Sequence, residues 1–266
     1  FLIFGSGMAE RYHNRFFKQV PLPDGTEFTS VTEKLCGFNV AGPLSRRLLQ
    51  ELTETSLENE DFPFMKSRKI TLAGVEVLAL RLSFTGDLGW ELYCRQEDQV
   101  QLYQALLKAG ETFGAGPVGS RALMSLRLEK GYGSWSRDFG PEYWPHEVGL
   151  DHLCRTEKSF LNRDAATAVL AMAKREELFL LHLEEEDVAR SNADATGGEP
   201  IFRKGEAIGR VTSGAYGYSV KMSLALGFVR DAGPGDQVEV MVLGRPHRAT
   251  ILAEPPFDAE GKRLRG

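Results

Sequence analysis

The chain has 266 residues, 42% hydrophobic and 26% charged, with a formal net charge of −5. That length and balance suit one large or two modest domains of an ordinary globular protein. The negative charge argues against a nucleic-acid or anionic-membrane partner; no apolar run approaches a membrane span and no secretory signal is present.

The sequence opens at Phe1 inside FLIF, which reads as a strand already under way with no initiator Met. The chain is therefore expected to be the C-terminal part of a longer polypeptide. Residues 6–20 carry a helical pattern, PLPDG a turn, and EFTSVTE and KLCGFNVAG read as successive strands. Pro43 at a first helical position starts a helix whose Leu44, Leu48 and Leu52 share one face, with Arg46 and Arg47 solvated beyond it. RKITLAG and VEVLALRLSF form a hairpin turning at Ala73-Gly74, and WELYC is a further strand. A helix over 97–108 presents Val100, Tyr103 and Leu107 on one face, and a second spans 120–130. Residues 132–150 are irregular, and 162–175 make a short alanine-rich helix. ELFLLHLE is a strand, followed by an acidic loop, EEEDVARSNADATGG. Beyond Pro200 come short strands and glycine turns, the pattern of a small all-β barrel or sandwich. The expected class is α+β, divided into 1–175 and 176–266.

The most informative segment is SFTGDLGWE, residues 83–91. Its glycines permit tight turning, and Glu91 then lies just inside a strand between Trp90 and Leu92, where a carboxylate needs a hydrogen-bond partner. Two readings stand open: a solvated or salt-bridged strand residue, or an acceptor for the paired N–H donors of a flat heterocycle held by aromatic groups. Other motifs fail. Gly114 to Gly119 matches GxGxxG, but a helix precedes it and Pro117 interrupts it, so it is no dinucleotide fingerprint. His146 and His152 are six apart with no third ligand, so no metal is expected. No GxSxG elbow exists. Cys36, Cys94 and Cys154 lack metal spacing and read as reduced thiols.

Four segments, SFTGDLGWELY, SLRLEKGY, the 135–150 stretch with SRDF and PHEVGL, and IGRVTSGAYGYS, resemble in order and spacing the glycine-cleavage T-protein (aminomethyltransferase) family. RLSFTGDLGWEL and PFDAEGKRLRG look most like the C-terminal half of sarcosine dehydrogenases, with dimethylglycine dehydrogenases close behind. The resemblance implies a T-protein-like folate-binding fold, lacking its N-terminal part, over 1–175 and a C-terminal β-barrel over 176–266. It implies tetrahydrofolate as cofactor, FAD in an upstream domain of the same polypeptide, and an oxidised N-methyl amine whose carbon passes to folate as 5,10-methylenetetrahydrofolate. A mitochondrial matrix or bacterial cytoplasmic setting goes with it. Glu91 falls on the family's pterin-binding carboxylate, and Phe84 where many T-proteins have tyrosine. Trp90, Arg121, Tyr132 and Asp138 are the other cofactor-binding candidates; Leu123 takes the place of the T-protein arginine, two residues after Arg121. Glu129, in LRLE, reads as one member of a buried structural pair, and Tyr216 and Tyr218 either cover a folate tail or pack. The family's catalytic aspartate is expected upstream of the segment matching Phe1 to Phe4, so no catalytic residue is assigned in the chain. Two alternatives remain: a non-catalytic protein-binding relative, and a stand-alone folate-dependent aminomethyltransferase or demethylase.

Overall fold

The computed structural model describes residues 2–5, 7–20 and 22–266. The chain divides into two compact units: Phe1–Ser83, Asp87–Pro117 and Lys262–Gly266 form the first, Phe84–Gly86 and Val118–Gly261 the second.

In the first unit, α1 (Ala9–Gln19) buries none of its residues. A four-stranded antiparallel sheet is built from β1 (Leu35–Ala41), β2 (Ser67–Leu72), β3 (Val75–Leu80) and β4 (Gly89–Arg95), in the order β1-β4-β3-β2. The period of two is clean in β4, where Trp90, Leu92 and Cys94 are buried and Glu91 and Tyr93 half-buried. The buried face packs on Leu48 and Leu49 of α2 (Ser45–Gln50), on Leu102 and Leu106 of α3 (Gln99–Gly110), and on Phe62. Each such leucine contributes roughly 1.5–3 kcal/mol by leaving water. The β2–β3 hairpin turns at Ala73-Gly74 as expected, with φ of 48° and 83°, the left-handed pair a two-residue turn needs to follow strand twist.

Several expectations are corrected here. Residues 2–5 form no strand, and Phe1 lies outside the described residues. EFTSVTE also carries no strand: Ser30 bonds locally to Thr32 and to Glu10 of α1, and among the described residues β1 pairs with β4 alone. The second helix begins at Ser45, whose hydroxyl donates to the Leu88 carbonyl, so Pro43 precedes it and Leu44 is 41% exposed. Arg46 is not on a solvated face: its Nε donates to the Leu57 carbonyl at 3.0 Å and its Nη2 to Asn59 Oδ1 at 2.5 Å. In α3 the buried stripe is Leu102, Leu106 and Gly110, while Val100 and Tyr103 are exposed. This helix carries two apolar arcs, and the sheet selects the one whose Gly110 allows close approach to Ala115.

The second unit begins with α4 (Ser120–Glu129), followed by irregular chain through a short 3-10 turn at Pro145–Glu147 and by α5 (Arg163–Leu170). This last helix stops short of the expected Arg175, which instead forms a two-pronged pair with Glu147. A closed antiparallel barrel follows: β5 (Glu177–Leu183), β6 (Pro200–Arg203), β7 (Glu206–Gly217), β8 (Met222–Val229), β9 (Gln237–Val242) and β10 (Arg245–Ile251), ordered β10-β5-β8-β7-β6-β9. Its interior is aliphatic, including Leu181, Ile201, Val211, Val240 and Ile251. Outside it, Leu128 of α4 packs on Leu180, Leu224 and Leu226. The acidic segment is not all loop: it contains α6 (Glu185–Ser191), with three acids in its first turn where the helix dipole favours them. Asp187 there is buried and accepts both the backbone N–H and Nε of Arg248 at 3.0 Å. The chain closes with α7 (Lys262–Arg265), which belongs to the first unit.

Candidate functional site

In the first unit, strand alternation turns Glu91 and Tyr93 to the face of β4 opposite the core. The Tyr93 hydroxyl donates to Glu91 Oε2 at 2.7 Å, and Oε1 accepts no hydrogen bond among the described residues. Burial, and then the Glu91 carboxylate, raise the Tyr93 phenol well above its ordinary range, so it remains a donor at physiological pH. Register places Asn39 and Leu80 beside Glu91, and Gly37 and Leu78 beside Tyr93. A Cβ on Gly37 would stand 2.9 Å from Tyr93 Cε1, so glycine is what lets the ring lie across β1. Phe4 stacks on the same ring with centroids 3.9 Å apart. Asn39 and Tyr93 were missed from sequence; Tyr93 was legible as the residue two beyond Glu91 on one strand face, whereas Asn39 needed the β1–β4 register.

Trp90 faces the other way and is 1% exposed. Its ring meets Phe62 edge-on at 4.9 Å, and the Arg81 guanidinium sits 5.1 Å over it. Arg81 is buried and donates to the Leu264 and Arg265 carbonyls; burial and the neighbouring Arg46 lower its pKa to about 10.

In the second unit, Phe84 stacks on Tyr132 with centroids 6.3 Å apart and planes 17° from parallel. Tyr132 is held by Arg127, whose carbonyl accepts its N–H and whose Nη1 donates to its carbonyl. That same Nη1 lies 2.6 Å from Asp138 Oδ2. Asp138 is 1% exposed and also accepts from the Ser134 N–H at 2.8 Å and from the Thr212 and Ser213 hydroxyls at 2.5 and 2.6 Å. Burial pulls the Arg127 pKa down, and Asp138 opposes that shift. Arg121, in the first turn of α4, is exposed and makes no ion pair among the described residues. Glu129 is buried and makes no ion pair among the described residues: its Oε1 accepts the Ser219 N–H, in place of the charged pairing expected. Tyr216 and Tyr218 meet edge-on at 5.0 Å, with Tyr218 78% exposed. His146 is buried with neither ring nitrogen hydrogen-bonded, and no cluster of three metal-ligating side chains occurs among the described residues. The structure thus joins Phe84 to Tyr132 and Asp138 to Arg127, and Glu91 to a residue outside the expected set.

Comparison with known proteins places the chain in a family. Residues 1–158 match the family model "GCVT N-terminal domain" and residues 179–258 match "Glycine cleavage T-protein C-terminal barrel domain". Mitochondrial dimethylglycine dehydrogenase of Rattus norvegicus is 37% identical over 99% of this chain and 31% of its own length. Mitochondrial sarcosine dehydrogenase of Mus musculus is 34% identical over 88% of the chain and 26% of its own. An aminomethyltransferase of Caldanaerobacter subterraneus is 28% identical over 85% of the chain and 59% of its own. The chain therefore spans about a third, or less, of the dehydrogenases it matches. The crystal structure of glycine cleavage system aminomethyltransferase T from Bartonella henselae superposes with a TM-score of 0.79 at 22% identity, covering 96% of this chain and 68% of that one. No helix among the described residues is long and apolar enough to cross a membrane. With its fold, its barrel and both family models in agreement, the chain belongs to the glycine-cleavage T-protein family.

Proposed function

We propose that this chain is the tetrahydrofolate-binding region of a sarcosine or dimethylglycine dehydrogenase-type flavoenzyme, receiving the one-carbon unit of an oxidised N-methyl amine. The amine-oxidising, FAD-bearing part is proposed to lie elsewhere in the same polypeptide, in the mitochondrial matrix or a bacterial cytoplasm. Residues 1–175 are the proposed folate-binding domain and 176–266 the barrel domain.

The observation that carries this reading is Glu91: a half-buried carboxylate on the non-core face of β4, with one oxygen bonded by Tyr93 and the other without a donor among the described residues. A carboxylate in that state fits the adjacent N–H and amino donors of a pterin edge. Tetrahydrofolate, when bound, supplies the N5 and N10 amines that take up the carbon. Glu91 accepts the pterin donors and fixes the ring's orientation. Within the second unit, Phe84 and Tyr132 stack on each other and give that unit an aromatic surface. Trp90 supports β4 from the core side, and Asp138 holds the Ser134–Phe139 turn in place.

A charge-assisted hydrogen bond of this kind is worth about 1.5–3 kcal/mol. Glu91→Ala is therefore expected to weaken tetrahydrofolate binding at least about tenfold in calorimetric titration. Unchanged affinity removes Glu91 from the site and with it the main support for this function.

A further inference from the structure

We propose that Tyr93 is the positioning residue of this site: through its hydroxyl it pins the Glu91 carboxylate so that the remaining acceptor positions meet a paired N–H donor edge. The inference rests on the reading of Glu91 as the pterin anchor. Glu91 and Tyr93 are two residues apart on one face of β4, and a tyrosine there would ordinarily stand away from the sheet toward solvent. Instead its ring is held from two sides. Gly37 on β1 leaves the space in which the ring lies, since even a methyl group there would come 2.9 Å from Cε1. Phe4 stacks on it with planes 23° apart. The hydroxyl of a ring so held reaches Glu91 Oε2 at 2.7 Å.

A glutamate carboxylate turns freely about its last torsion, whereas a bidentate contact with neighbouring N–H groups needs both oxygens in the plane of the ligand. One donor fixed on Oε2 selects that orientation before any ligand arrives. With the described residues as donors, Oε2 keeps a second lone pair and Oε1 keeps both, enough for an N–H and an amino group. Ordering a side chain in advance removes part of the entropic cost of binding, a gain of about three- to tenfold in affinity.

The test is calorimetric titration of tetrahydrofolate into the protein and into Tyr93→Phe, Glu91→Ala and the double variant. Tyr93→Phe keeps the ring and its stacking, and far-UV circular dichroism and melting temperature check that its fold is kept. The expected result is a loss of about three- to tenfold for Tyr93→Phe, at least about tenfold for Glu91→Ala, and no further loss in the double variant. Gly37→Val, which displaces the ring from the neighbouring strand, should reproduce the Tyr93→Phe loss. In alkaline titration followed by tyrosinate absorbance, Glu91→Gln should bring the ionisation of one tyrosine to lower pH. Full affinity in Tyr93→Phe beside a weakened Glu91→Ala overturns the positioning role and leaves the anchor standing. Additive losses overturn it too, because Tyr93 then acts independently of Glu91. Full affinity in Glu91→Ala overturns the anchor itself.

Discussion

Asp138 offers the sharpest test of what holds the second unit together. Its carboxylate is buried against four donors: the Arg127 guanidinium, the Ser134 N–H, and the Thr212 and Ser213 hydroxyls. Asp138→Ala would strand the Arg127 charge, 1% exposed, and unpair the Ser134 N–H and the Ser213 hydroxyl, while the Thr212 hydroxyl keeps the Leu226 carbonyl at 3.1 Å. Breaking one side of a buried ion pair costs about 3–5 kcal/mol, and an unsatisfied donor about 1–3 kcal/mol unless water enters. A loss of at least about 4 kcal/mol follows. With a urea slope of about 2 kcal/mol per molar, the unfolding midpoint should fall by about 2 M. Asp138→Asn, which keeps the shape but loses the charge and one acceptor, should fall between. The double change Arg127→Met with Asp138→Leu should recover much of the loss, since it leaves no buried charge to compensate. A midpoint shift below about 0.5 M for Asp138→Ala, at unchanged slope, would refute the assignment of this pair as the anchor of the Ser134–Phe139 turn.

Other outcomes can be checked alongside. Glu147, whose side chain is 0% exposed, is held at about 2 rather than 4.5, chiefly by Arg175 and also by the N–H groups of Trp144 and Arg175, against the opposing effect of burial. A depressed carboxylate stabilises the fold above its unfolded pKa, so roughly 3 kcal/mol should be lost as pH falls from about 4.5 through 2. Glu147→Gln should be less stable at neutral pH and show a flatter acid limb in urea titrations at stepped pH. Cys94 is 2% exposed, and burial followed by its contact with Cys36 at 3.3 Å pushes its thiol well above the usual range. It should resist iodoacetamide at pH 7.5 in the native chain and react fully in guanidinium, as mapped by mass spectrometry; rapid native labelling would mean that β1 and β4 open readily. Ala73 holds φ of 48° in the β2–β3 turn, so Ala73→Asn should raise stability by about 0.5–1 kcal/mol and the melting temperature by about 1–4 °C.

The fold was legible wherever local pattern and tertiary demand agreed. The β2–β3 hairpin was readable because Ala73-Gly74 falls between two alternating runs, and the barrel because short β-branched strands recur with glycine turns. It was illegible where a segment carried two usable patterns. The third helix offered two apolar arcs, and periodicity alone could not say which would meet the sheet. Arg46 looked like half of a charged surface pair because the carbonyl and amide it binds lie 11 and 13 residues further along the chain.

What the sequence determined by itself was the β2–β3 hairpin, the C-terminal barrel, the T-protein resemblance and the place of Glu91 beside Trp90 on one strand, because strand period, turn residues and a carboxylate beside an indole are local facts. What only the tertiary structure decided was the company those residues keep. Trp90 turned to the core and Glu91 away from it, Asp138 closed on four donors, and Tyr93 lay over Gly37 to reach Glu91. Such partnerships depend on strand register and on which atoms are withdrawn from water, and one strand read alone specifies neither.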